Sequence, residues 1–133
     1  MSDENVDRVR EAFEAFNRGD FDTAVAFFHP NAEWIPYLGA VDGSIYRGRA
    51  ALKAMWAELN DNFSGSLRLE LEELIDCGHS VVAVVEASGT GTTSGVEVHQ
   101  RWAQLAAIRD GLVFRVEPFP DKASALEAAR MSE

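Results

Sequence analysis

A single cysteine, Cys77, gives the chain no internal disulfide and excludes a multi-cysteine zinc site. Apolar runs are equally scarce, and none approaches the roughly 20 residues that a membrane-spanning helix needs. Basic residues are outnumbered, 12 against 22 acids, for a formal charge of −10. They are scattered rather than gathered into a stripe, so such a surface repels phosphate backbones and anionic lipid alike. Nucleic acid and membrane are therefore not expected as partners. The three histidines stand far apart, no His/carboxylate spacing suggests a metal site, and no cofactor motif is present. The start, "MSDENVDRVRE", is polar and acidic, unlike a signal or transit peptide. These absences lead us to expect a cytoplasmic protein.

What the chain has is a helical half followed by a strand half. At 133 residues with no repeat and no linker, it reads as one domain over residues 1–133. Val6, Val9, Phe13 and Phe16 share one helical face, and Gly19 ends that helix. Asp20 is placed to cap a second helix, "FDTAVAFFHP", which the spacing of Phe21, Ala24, Val25 and Phe28 carries up to Pro30. His29 would then sit at that helix's C-terminus, where a cation favours the dipole. "AEWIPY" reads as a short extended segment, followed by a loop containing Gly39, Asp42 and Gly43. Leu52, Met55, Trp56, Leu59 and Phe63 mark a third amphipathic helix.

From Ser66 the period changes to two. "LRLELE" alternates and then slips between Glu72 and Leu74, the pattern of a bulge. "SVVAVVEASG", residues 96–109 and "LVFRVEPF" read as further strands, the last two joined by Asp110-Gly111 in a type I′ turn. "DKASALEAARM" is a short C-terminal helix capped by Asp121. The fold class is α+β, with three N-terminal helices packed on a strongly curved antiparallel sheet. A bent sheet cupped around a helix is expected to leave a central pocket between them.

The strand over 96–109 places Gln100, Trp102 and Gln104 on one face with Ala106 and Ile108. If that face lines the pocket, two amides and an indole N–H can hydrogen-bond a ligand. In the opposite register His99, Arg101 and Ala103 would face inward, since a slip of one residue exchanges the two sets. Glu86 shares a face with Val82 and Val84, where it is either an acid–base group with a raised pKa or a strand end reaching water. Trp34, Tyr37 and Trp56 are candidates to shape the cavity with Trp102, whereas Phe13, Phe16 and Phe28 read as plain core. Val116 is expected on the cavity wall too.

Three stretches carry a resemblance: "AFNRGDFDTAVAFFHPNAEW", "YRGRAALKAMWAEL" and "IRDGLVFRVEPFPDKASALEAA". Their order and spacing resemble the SnoaL-like polyketide cyclases, within the broader group of nuclear transport factor 2, ketosteroid isomerase and limonene epoxide hydrolase. The resemblance implies a conical α+β barrel with a pocket at its wide end, and a homodimer formed through the sheet's outer face near Arg101 and Ala103. It implies isomerase-, cyclase- or epoxide hydrolase-type chemistry without a cofactor, if the chain is an enzyme. By the same resemblance, the isomerase phenol falls at Ala12 and the general base near Pro36. The neutral-acid donor falls near Gln104 and the last-strand carboxylate near Pro118. None of these four side chains transfers a proton, so fold does not carry activity with it here.

Two readings follow. In one, Glu86 is the base and Gln104 and Trp102 polarise a carbonyl of a small, mostly apolar ligand held by Trp34, Tyr37, Trp56, Gln100, Val116 and Pro118. In the other, the chain is a non-catalytic binding or dimerising module that keeps the cavity and lacks the acid.

Overall fold

The computed structural model describes residues 2–35, 45–91 and 95–131. Helix α1 (Ser2–Asn17) buries Val9, Ala12, Ala15 and Phe16 along one stripe, as the helical spacing requires. It ends at Gly19, whose φ of 76° only glycine adopts without strain, while the Asp20 N–H closes back on the Ala15 carbonyl. The Asp20 carboxylate then caps α2 (Phe21–Ala26), accepting from the Thr23 N–H at 3.2 Å and the Thr23 hydroxyl at 2.6 Å.

Helix α2 is shorter than its apolar spacing predicts. The chain leaves the helix after Ala26, and Phe28–Trp34 form strand β1. Pro30 has no N–H to extend the helix and biases His29 towards extended backbone. The Val113 N–H, bonded to the Phe27 carbonyl at 3.0 Å, draws the segment onto the sheet. His29 accordingly lies in a strand rather than at a helix end, its Nδ1 accepting from the Asn31 N–H. Pro30 falls where β1 loses register with its neighbour, between Phe28 and Glu33, a position that tolerates the missing donor. The short β2 (Tyr46–Arg47) was not evident in the sequence. It leads through Gly48 into α3 (Arg49–Asn62), and Arg49 fixes that junction by donating from Nε and Nη2 to the Phe28 carbonyl.

The remaining strands are β3 (Arg68–Asp76), β4 (Ser80–Thr90), β5 (Glu97–Arg109) and β6 (Leu112–Phe119), followed by α4 (Lys122–Met131). Sheet order is β2-β1-β6-β5-β4-β3. Strands β3 to β6 pair antiparallel as expected, with the bulge between Leu71 and Glu73 and the Asp110-Gly111 turn at φ of 55° and 77°. The curved sheet as a whole is mixed rather than antiparallel, because β1 runs parallel to β6. That pairing joins segments about 80 residues apart, and no local pattern encodes it.

Helices cover the inner face of the sheet and part of the outer one. The inner face presents Val81, Ala83, Val85 and Ala87 of β4 with Trp102 and Ala106 of β5 to helices α1, α2 and α3. The outer face presents Val82, Ala103 and Leu105 to Ala125 and Ala129 of α4. The Asp121 carboxylate caps α4 by accepting from the Ser124 N–H at 2.8 Å.

Candidate functional site

Between the helices and the inner face lies a cavity of about 40 Å³. Helix α1 contributes Val9, Ala12, Phe13 and Phe16, and α2 contributes Ala24. The strands contribute Phe28, Trp34, Leu69, Ala83, Gln104, Ala106, Val113 and Val116, and α3 adds Trp56. A water needs about 10–15 Å³, so roughly three would fit; a benzene-sized cavity is about 150 Å³. The space exists because Ala12, Ala24, Ala83 and Ala106 stop short, while aromatic rings fill the rest.

Trp56 is the hub of those rings. It meets Phe16 edge to face at a centroid distance of 6.1 Å and 88°, and Phe28 at 5.3 Å and 66°. Such arrangements place positive ring edges on negative ring faces, beyond the area they bury. The Trp56 indole Nε1–H is buried and has no hydrogen-bond partner among the described residues. A buried donor left unpaired costs about 1–3 kcal/mol. A phenyl ring would pack here without that cost.

Gln104 is the one polar or charged side chain that is buried among the described residues, at 6% exposure. It stands between Ala83 on β4 and Pro118 on β6. Parity explains the placement: Trp102, Gln104 and Ala106 all point inward, and His99, Arg101 and Ala103 take the outer face. The inward register of the 96–109 strand is therefore the one adopted.

The structure brings together four of the expected site residues: Trp34, Trp56, Gln104 and Val116. Trp102 is buried in the same inner cluster but is not on the cavity wall. Gln100, opposite Ala87, and Pro118, opposite Gln104, share that face without reaching the cavity. Tyr37 lies outside the described residues, as does Pro36. Glu86 is the main correction. It does share a face with Val82 and Val84, but that face is the outer one, where it stands opposite Glu70 and Arg101. It has no access to the cavity. Phe13, Phe16 and Phe28, read from the sequence as plain core, line the cavity instead. Only the alanines on the same stripes hinted that these rings border a space.

No acid, base or nucleophile is on the described cavity wall. The carboxyls held below their ordinary values belong to the helix caps: Asp20 through the Thr23 hydroxyl and N–H, and Asp121 through the Ser124 N–H. Charged side chains cluster outside, where Arg101 pairs with Glu72 at 2.5 Å and Lys122 with Glu73 at 2.9 Å. Among the described residues, no three His, Cys, Asp or Glu side chains gather as metal ligands would, and no helix is long and apolar enough to cross a membrane.

A model of the SnoaL-like domain matches residues 9–116. No functionally curated protein matches the chain. Among solved structures, TerC co-crystallised with polyporic acid is similar at 23% identity over 96% of this chain and 98% of its own, with a TM-score of 0.76. A nuclear transport factor 2-like protein of unknown function from Burkholderia pseudomallei is similar at 23% identity over 96% and 97%, with a TM-score of 0.79. A putative polyketide cyclase from Xanthomonas campestris pv. campestris is similar at 24% identity over 96% and 97%, with a TM-score of 0.72. At these identities the likeness is one of fold.

Proposed function

Because the chain belongs to the SnoaL-like domain family, we propose that it binds a small, mostly apolar molecule carrying a carbonyl or similar acceptor in the inner cavity. The observation that carries this reading is the unpaired Trp56 Nε1–H, buried at the same cavity as Gln104. An acceptor oxygen could take hydrogen bonds from both the indole and the amide, while the surrounding rings and alanines receive the apolar part. The structural neighbour TerC was crystallised with polyporic acid, which supports a ligand in this fold and names none for this chain.

Binding without acid–base chemistry is the better supported of the two readings. The described wall holds no group that titrates, and Glu86 faces the other way. Size limits the ligand as well: the cavity takes a molecule of a few heavy atoms, and a ring-sized one must displace part of the wall, where Phe13 and Trp34 are the half-buried rings.

The test is nitrogen-15 NMR of the side-chain N–H groups with acetone, cyclohexanone and 1-tetralone as a size series. The Trp56 indole N–H should move downfield with acetone and with at least one larger ketone, and Gln104→Leu should weaken that response at least several-fold. Shifts confined to surface residues, or none at millimolar ketone for all three, would overturn the reading.

A further inference from the structure

Gln104 brings an acceptor to the cavity as well as donors. More than nine-tenths buried, it makes no hydrogen bond to another described residue from either end of its amide. Its cross-strand neighbours, Ala83 on β4 and Pro118 on β6, have no polar side chain to offer it. The other polar groups among the described lining side chains are the indole N–H groups of Trp34 and Trp56, and an indole N–H only donates. The one side-chain acceptor on the described wall is therefore the Gln104 carbonyl oxygen.

A ligand that only accepts, such as a ketone, pairs with the donors and leaves that oxygen dry. An unpaired buried group is what lets a polar site reject an analogue that lacks one hydrogen-bonding group. A carbonyl with an N–H or O–H on the same carbon pairs with both ends of the Gln104 amide at once, as two amides do face to face.

Charge selects in the same direction. No described lining residue is charged, and the chain as a whole carries −10. An ion entering such a cavity gives up its hydration without meeting a counter-charge, and an anion is also opposed by the field of the acidic surface.

We infer that the ligand class is a small neutral molecule whose carbonyl carries its own N–H or O–H: a carboxamide, or a carboxylic acid taken up in its protonated form. This rests on the proposal that the cavity binds a carbonyl compound, and it adds a donor and a charge requirement to it.

Acetone, acetamide and acetate have the same number of heavy atoms and nearly one shape, so they separate these demands. Each is titrated into the full chain and followed at the Trp56 indole N–H by nitrogen-15 NMR. At neutral pH acetamide should bind about tenfold or more tightly than acetone, and acetate about tenfold or more weakly. Gln104→Leu should erase the preference for acetamide over acetone. Lowering the pH from about 7 to about 6 should strengthen the acetate titration about tenfold, following the neutral fraction of the acid, and leave acetone unchanged. Acetone bound with acetamide no tighter, or with acetate equally tight at neutral pH, would overturn the inference and leave the binding of ketones standing. So would a preference for acetamide that survives Gln104→Leu. No response to any of the three compounds would overturn both.

Discussion

Trp56 on α3 meets Trp34 on β1 edge to face, with ring centroids 5.8 Å apart and planes at 82°. The contact joins the third helix to a strand that enters the sheet beside β6, so the cavity wall is also a joint of the fold.

The first prediction separates those two roles. Trp56→Ala removes the hub of the ring cluster and should destabilise the protein by about 3–5 kcal/mol. Trp56→Phe keeps a ring in place and discards the unpaired N–H, which offsets part of the lost volume, so it should cost less than half as much. Urea unfolding midpoints compare them, and a Phe variant as unstable as the Ala variant would mean that a phenyl ring does not restore the packing of the hub.

The inner and outer faces show what was legible in the sequence. Alternation on β5 placed Trp102 and Gln104 together, and the structure keeps them together, because a strand's period admits no other arrangement. Which face the three helices would cover was not legible on β4, where residues 81–85 are all buried. A strand packed on both sides reads as continuous apolar sequence, so Glu86 could be assigned correctly to the face of Val82 and Val84 and yet to the wrong side of the sheet. Phe28 shows the corresponding limit for helices. Its spacing from Phe21, Ala24 and Val25 fits a helix, and the core accepts it equally from a strand. The caps, the bulge and the Asp110-Gly111 turn were legible because each depends on chemistry within a few residues.

The second prediction concerns the caps. Asp20 and Asp121 both have carboxyls held below the ordinary aspartate value, by hydrogen bonds from Thr23 and Ser124 respectively. A lowered folded pKa means the stabilisation is complete above the unfolded value of about 3.9 and is lost as pH falls through the folded one. Asparagine caps about as well without a charge. The double variant Asp20→Asn, Asp121→Asn should therefore match the unaltered chain at neutral pH and lose less stability between about pH 4 and pH 2. Thermal midpoints across that range check it, and parallel curves for the two proteins would contradict it.

The third prediction is about the β5–β6 turn. Gly111 has a φ of 77°, and an added Cβ would stand 3.4 Å from the Arg8 guanidinium. The Arg8 side chain can move aside, so the backbone conformation sets the cost. Gly111→Ala should destabilise by about 1–2 kcal/mol, the penalty for a left-handed residue with a Cβ. Gly111→Asn should cost less, because Asn tolerates that region. Equal losses for the two would point to the Arg8 contact rather than to the turn.

The last prediction tests how dry position 104 is. Gln104→Glu keeps the shape of the side chain and adds a proton that can leave. In the apolar cavity, desolvation opposes the charged form, so the folded pKa should rise above the unfolded value of about 4.3. Below that value the carboxyl is neutral in both states, and the variant should be close to the unaltered protein in stability. As pH climbs past it, the unfolded chain ionises first, and stability relative to the unaltered protein should fall by about 1.4 kcal/mol per pH unit until the folded pKa is reached. Gln104→Leu, which cannot titrate, should show no such added slope and should be as stable as the unaltered chain or more so. Chemical unfolding of the three proteins at several pH values between about 4 and 8 provides the comparison. If Gln104→Glu tracks Gln104→Leu throughout, water reaches position 104 freely, and a ligand oxygen there would gain little over the solvent it replaces.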